Sequence, residues 1–404
     1  MAPHSAWVLD LTRTVSRLGH GPLTGIDRVE LAYLQYFLAR PQPLFGLVRT
    51  AMGFVLLDRN GATGVLNRIV GAEPLGQIDV LARLTNRHLP QNAAAEADVR
   101  RLAMARSLPV RLGAMLRKRL PAGVTYVNVG HANLTEKVLK AVKAVPNVQV
   151  TLMLHDTIPL DYPQFCRAGM QRGFAAKLAA VSAYADLVVH TASCTRALTE
   201  THLANAGRVP RGVVAPLGVA LARPDAMGLA QSVRPYFVAL GTIEPRKNLG
   251  LLASVWRELE KANGQVPHLY ILGNRGWESA AVFGELDDLA RRGTVSLLHN
   301  LGDAGVLALL QNAEALLFPS LAEGFGLPPL EAAALGVSVF AGKLPVVVET
   351  LQDYPVYLDT SDVYAWVEAI NHQMKHRKQA PDAERQIRVP PNWPDHFAKV
   401  FSIA

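Results

Sequence analysis

Pro319-Ser320-Leu321-Ala322-Glu323-Gly324-Phe325-Gly326-Leu327-Pro328-Pro329-Leu330-Glu331 is the stretch on which the fold of this chain turns. The apolar run Ala315-Leu316-Leu317-Phe318 before it reads as a buried strand, and Pro328 or Pro329 fits a first helical turn, where a missing N–H costs nothing. The stretch therefore joins a strand to a helix. Gly324 and Gly326 lack a Cβ, so their backbone can approach a ligand closely, and the helix start offers unpaired N–H groups to an anion such as a diphosphate. Two glutamates beside a diphosphate would repel it. They fit if they point at the uncharged ends of the ligand, Glu323 accepting from the hydroxyls of a sugar and Glu331 from those of a nucleoside ribose. Two glutamates eight positions apart also arise by chance in a chain with 33 acidic residues, and Glu331 can simply complement the helix dipole.

With the strand, both glycines and both prolines in order, the stretch resembles the retaining glycosyltransferases of family 4, whose donor domain carries E-G-F-G-L-P-x-L-E. That resemblance implies an α/β fold of the GT-B type, two Rossmann-like domains facing across a cleft, with a C-terminal helix crossing back to the N-terminal domain. It also implies a catalytic place for Glu323 and donor-binding places for Gly324, Phe325, Gly326, Leu327 and Glu331.

Gly241-Thr242-Ile243-Glu244-Pro245-Arg246-Lys247-Asn248 follows the apolar run Tyr236 to Leu240 and precedes a helical pattern, so Arg246 and Lys247 fall at the carboxyl edge of a sheet. They can neutralise a departing diphosphate there, although adjacent basic residues are usually solvated surface. The segment resembles the family's G-x-x-E-x-x-K-N loop, which implies catalytic roles for Arg246 and Lys247 and a donor contact for Thr242. Many relatives carry arginine at the Thr242 position, so Arg246 has to supply the second charge here.

His155 ends the run Val148 to Leu154 with Asp156 beside it. A lone histidine is more often structural, and Asp156 can cap the turn at Thr157. The wording His155-Asp156-Thr157-Ile158-Pro159-Leu160 resembles the family's H-D-x-I-P-L, which implies that His155 hydrogen-bonds the sugar or the acceptor. Thr24-Gly25-Ile26-Asp27-Arg28 resembles T-G-I-x-R, whose glycine approaches the diphosphate from across the cleft, so Gly25 and Arg28 join the donor-binding set; Asp27 can be an ordinary N-cap. Gly273-Asn274-Arg275-Gly276-Trp277 resembles G-x-R-G-W, which places Arg275 either in the nucleotide pocket or in a packed loop.

Strand-like and helix-like segments alternate along the chain, as parallel sheets covered by helices require. A chain of 404 residues is long for one domain. We expect an N-terminal, acceptor-side domain over 1–217, a hinge over 218–235, a donor domain over 236–385 and a crossover helix within 386–404.

No apolar run approaches the roughly 18 to 20 residues that span a bilayer, and Met1 to Asp10 lacks the regions of a signal peptide, so a cytoplasmic location is expected. Cys166 and Cys194 have no metal-type spacing and are expected as reduced thiols. The formal charge of +8 and pI near 9.5 call for an anionic partner, whether nucleic acid, a phospholipid surface or a phosphorylated substrate. The densest basic stretch, Arg100 to Arg119, is interleaved with aliphatic residues and interrupted by Pro109. It reads as peripheral contact with the inner membrane face or as a solvated helix face. It has no aromatics to stack on bases, and no nucleic-acid partner is expected.

The chain contains no Asp-x-Asp triplet, so we expect no metal cofactor, with basic side chains and a helix terminus neutralising the leaving group. The expected activity is hexosyl transfer with retention, from GDP-mannose first and a UDP-hexose second, to a saccharide or lipid-linked saccharide acceptor in polysaccharide biosynthesis. A nucleotide-sugar 2-epimerase of similar fold is the nearest alternative, and a non-catalytic nucleotide- or nucleic-acid-binding protein a more distant one.

Overall fold

A computed structural model describes residues 5–85, 90–226, 234–262, 265–376 and 387–402. Its strands form two sheets. The first contains β1 (Trp7–Asp10), β2 (Leu44–Thr50), β3 (Gly53–Leu57), β4 (Ala105–Ser107), β5 (Thr125–Asn128), β6 (Gln149–Leu154), β7 (Leu187–His190) and β8 (Arg211–Val214). Its order is β4-β3-β2-β1-β5-β6-β7-β8, parallel throughout except where β3 runs against β2 and β4. The second contains β9 (Tyr236–Leu240), β10 (His268–Leu272), β11 (Val295–Leu298), β12 (Ala315–Phe318), β13 (Ser338–Ala341) and β14 (Val356–Tyr357), ordered β11-β10-β9-β12-β13-β14 and parallel throughout.

Helices cover both faces of each sheet, which is why the central strands are apolar without alternation: all four residues of β1, β5, β7 and β12 are buried. Both sheets reverse their winding direction once, between β1 and β5 and between β9 and β12. Such switch points open a crevice at the carboxyl ends of the strands. The loops after β9 and β12 are the Arg246-Lys247 loop and the glutamate loop, so the topology brings together two segments that lie about 75 residues apart in sequence.

The C-terminal helix Trp393–Phe401 returns to the first domain. Asn392 caps its start by accepting from the Asp395 amide at 2.9 Å. Phe397 stacks on Tyr36 at 3.9 Å between ring centroids, and His396 is buried between the first domain and the chain leaving β8. His396 Nδ1 donates to the Ala215 and Pro216 carbonyls, at 3.1 and 3.0 Å, and Nε2 accepts from the Tyr33 hydroxyl at 2.7 Å. Burying Phe397 and Val400 contributes roughly 1.5 to 3 kcal/mol each to holding the helix in place.

The basic stretch is not one amphipathic segment. Arg100 and Arg101 end a helix over Pro90–Arg101 and are paired, Arg100 with Asp79 and Glu96 and Arg101 with Asp98. Strand β4 and a single turn of 3-10 helix, Pro109–Arg111, then separate them from the helix Leu112–Arg119. Among the described residues no helix is long and apolar enough to cross a membrane.

Candidate functional site

The glutamate loop leaves β12 and enters the helix Leu327–Ala334 through Gly326, whose φ of 87° is left-handed and unstrained only for glycine. Pro328 and Pro329 occupy the first turn, where no backbone donor is lost. The loop after β9 makes one 3-10 turn, Pro245–Lys247, and packs against it: the Leu321 amide donates to the Arg246 carbonyl at 2.7 Å, and Arg246 Nη1 to the Ala322 carbonyl at 3.1 Å.

At the junction stands Glu323. One carboxylate oxygen accepts from Lys247 Nζ at 2.6 Å and the other meets Arg246 Nη1 at 2.8 Å. Burial alone would push the Glu323 carboxyl up, but the two cations outweigh it and hold the group at about 2, well below the usual carboxylate range. Lys247 is itself buried, with its ammonium 5.0 Å from the Phe318 ring centroid. Burial pulls its pKa below the ordinary lysine value against the attraction of Glu323. For Arg246 burial acts downward too, but Glu323, Glu244 and Asp156 reverse the sign and raise it. Glu244, the glutamate of the G-x-x-E-x-x-K-N wording and assigned no role from sequence, is buried and takes the Arg246 Nε at 2.5 Å.

The first domain closes over this junction. Gly324 lies against β6: a Cβ there would stand 2.7 Å from the His155 carbonyl oxygen and 3.0 Å from Asp156 Oδ2. The Gly324 carbonyl accepts from the Thr191 and Thr195 hydroxyls, both at 3.1 Å. Both oxygens of Glu349, on the helix Pro345–Leu351, accept from the first amides of the helix Ser193–Asn205, at 2.6 Å from Ser193 and 2.9 Å from Cys194. No local sequence pattern marks these contacts, because each joins residues 129 to 156 positions apart.

His155 is buried at the tip of β6, and its Nε2 donates to the Val129 carbonyl at 2.7 Å. With Nε2 committed, only Nδ1 can serve a ligand. Burial holds the ring near a pKa of about 4, so it is a neutral imidazole at physiological pH.

The other sequence-derived residues divide. Gly25 opens the helix Gly25–Leu38, faces Leu327 across the crevice, and follows the N-cap Thr24; Asp27 is not the cap itself but its partner three residues on, accepting from the Thr24 amide at 2.8 Å. Arg28 reaches across the crevice and sets its guanidinium on the Glu331 carboxylate at 2.6 Å. Burial raises the Glu331 carboxyl, with Arg28 opposing. Phe325 is buried beneath the loop, whereas Thr242 is exposed beside it. Arg275 turns outward instead, pairing with Asp287 and lying 4.9 Å from the Phe283 ring, which makes it part of a packed loop. A groove of about 600 Å³ opens beside Gly25, Arg28 and Leu327 and runs along the Gly25–Leu38 helix to Trp393. Among the described residues no three His, Cys, Asp or Glu side chains gather as metal ligands.

Residues 228–388 match the family described as glycosyl transferases group 1. The chain carries a group 1 glycosyltransferase domain. Both loops and both glutamates of the crevice lie within that domain. The serotype-specific mannosyltransferase WbdA of Escherichia coli is 30% identical over 237 residues, covering 53% of this chain and 27% of the relative. The O-antigen chain mannosyltransferase RfbU of Salmonella typhimurium is 31% identical over 151 residues, covering 37% of this chain and 40% of the relative. The chain thus spans between about a quarter and two fifths of the curated relatives it matches. Sucrose-phosphate synthase from Thermosynechococcus elongatus superposes with a TM-score of 0.62 at 14% identity, covering 99% of this chain and 98% of that one. Anabaena HepE in complex with UDP and glucose gives 0.59 at 14% identity, with 98% and 95% covered. These likenesses establish the GT-B fold around the group 1 domain, two Rossmann-like sheets facing one another.

Proposed function

We propose that this protein is a metal-independent, retaining hexosyltransferase of polysaccharide biosynthesis, using GDP-mannose and a saccharide or lipid-linked saccharide acceptor. The observation that carries the reading is the junction of Glu323 with Arg246 and Lys247 at the β9/β12 switch point. The donor diphosphate sits between the basic loop and the start of the Leu327–Ala334 helix, Glu323 accepts from the transferred sugar, and Glu331 accepts from the ribose once Arg28 moves aside. The mannosyltransferase names of the relatives support mannose, and the basic residues with the helix terminus supply the charge that a metal would otherwise bring.

Glu323, held at about 2, is too weak a base to take the acceptor's proton. We therefore favour front-face displacement. The acceptor oxygen bonds to the anomeric carbon on the face from which the diphosphate oxygen leaves, and that phosphate oxygen takes the acceptor's proton. Charge grows on the diphosphate as the bond breaks, so its contacts with Arg246 and Lys247 strengthen in the transition state.

The test is incubation of the full chain with GDP-mannose or UDP-hexoses in EDTA, with and without a mannose-terminated acceptor, following the anomeric configuration of the product by NMR. Retained product and free GDP are expected. Mass-spectrometric capture of a glycosylated side chain would overturn the front-face route, a 2-epimer formed without acceptor would mark an epimerase, and dependence on a divalent cation would refute metal independence.

A further inference from the structure

Beyond the crevice, the first domain carries a surface that the reaction does not use. After β4 ends at Ser107, Pro109 starts a single 3-10 turn that carries the chain out from the sheet. Val110 on that turn is 91% exposed and Leu108, two positions before it, 56% exposed, so two aliphatic side chains of this short segment are presented to solvent. The helix Leu112–Arg119 buries Leu112, Met115 and Leu116, so its helical period puts Arg111, Ala114, Arg117 and Lys118 outward, with Arg119 exposed at its end. Gly113 lets this helix approach the helix Glu136–Val142, a Cβ there standing 3.5 Å from Ala141, so Lys137 and Lys140 flank the same cations.

The charge balance is one-sided. Across the two helices and the turn, six exposed cations face a single exposed carboxylate, Glu136. None of the six forms an ion pair with a described acidic residue, whereas nearby Arg100 and Arg101 are paired.

We propose that this surface docks on an anionic lipid bilayer, with Leu108 and Val110 entering the acyl boundary and the six cations meeting headgroup phosphates. Cations alone would suit any polyanion. The protruding aliphatic pair selects a bilayer, because aliphatic tips gain nothing from a hydrated nucleic-acid backbone, and Leu108 to Arg119 holds no aromatic ring to stack on bases. Binding of this kind weakens with ionic strength but keeps an apolar component that salt does not screen.

Flotation of the full chain with vesicles tests the inference without turnover, so its outcome is separate from that of the enzymatic reading. Phosphatidylcholine vesicles containing about a third phosphatidylglycerol are expected to bind the protein, and pure phosphatidylcholine to bind it about tenfold less or more weakly still. Reversing Arg117, Lys118 and Arg119 to Glu together should lower binding to the anionic vesicles at least about tenfold. Val110→Asp and, independently, Leu108→Ser should each lower it several-fold with the melting temperature unchanged. Equal binding to both vesicle types overturns the inference. So does charge reversal that abolishes binding while Val110→Asp and Leu108→Ser leave it intact and heparin or RNA binds equally well, since that describes a polyanion site.

Discussion

Arg28 of the first domain donates to Glu331 of the second at 2.6 Å, two residues 303 positions apart joined across the crevice. Glu331 is nearly buried and Arg28 half-buried, so the pair sits where removing one partner leaves the other poorly solvated. Arg28→Ala and Glu331→Ala should each destabilise the ligand-free protein, and their double mutant less than the sum. A double-mutant cycle by urea unfolding should give a coupling of about 1 to 2 kcal/mol. Additive effects would show that the two domains do not hold one another through this contact.

Glu323→Gln separates sugar recognition from diphosphate recognition. The substitution removes the charge that ties up Arg246 and Lys247 and leaves both free for phosphate. The expected result is kcat lower by about 100-fold or more, with GDP bound as well as before or better. Loss of GDP affinity by calorimetry would mean that Glu323 holds the basic loop in shape rather than the sugar. Because the carboxyl sits at about 2 against 4.5 in the unfolded chain, its stabilising contribution is present above 4.5 and lost as the pH falls through about 2. No limb of the pH–rate profile above pH 4 should belong to it.

The second sheet was legible because its strands are continuous apolar runs beside helical patterns, and the runs read from sequence at Tyr236–Leu240 and Ala315–Phe318 are β9 and β12. The first sheet was less so. Leu44 to Leu57 forms the antiparallel pair β2/β3, yet Gly46 and Arg49 interrupt the first strand, and the turn at Ala51-Met52 lacks the Asn-Gly or Asp-Gly pair that signals a hairpin. Strand β8 carried no separate strand signal, because Gly212 lies within it and Pro216 and Gly218 follow it closely. In the crevice, motifs disclosed the residues but not their mutual arrangement. Ion pairing between Glu323 and the adjacent cations, or between Arg28 and Glu331, depends on which strands are neighbours, and local periodicity carries no such information.

Glu349 should govern how tightly the two domains close. Its carboxylate takes two amides at the start of the Ser193–Asn205 helix, where the helix dipole adds to both hydrogen bonds. Burial acts upward on this carboxyl, but the Ser193 and Cys194 amides hold it below its usual value. Glu349→Gln keeps the shape and loses the charge. Small-angle scattering should then show a larger radius of gyration in the ligand-free protein, largely restored by nucleotide-sugar. An unchanged radius would assign closure to the Gly324 contacts with Thr191 and Thr195 instead.

Acid should weaken the fold by forcing protons onto its buried histidines. His155, His190 and His396 are buried, and desolvation holds each at about 4 against 6.5 in the unfolded chain. Between those values the unfolded chain binds a proton that the native imidazole refuses, so stability falls as the pH drops from about 6.5 to about 4, by on the order of 3 kcal/mol for each fully buried ring. His396 is the most informative of the three, because its protonated form would lose the hydrogen bond accepted from Tyr33 while keeping those donated to Ala215 and Pro216. His396→Gln removes the titration and should flatten part of the decline in urea midpoint between pH 7 and 5. It should also loosen the Trp393–Phe401 helix, which hydrogen exchange would detect at its amides. A wild-type midpoint that stays level from pH 7 to 5 would mean these rings reach solvent, and the packing of the C-terminal helix against Tyr33 and Tyr36 would have to be looser than the structure shows.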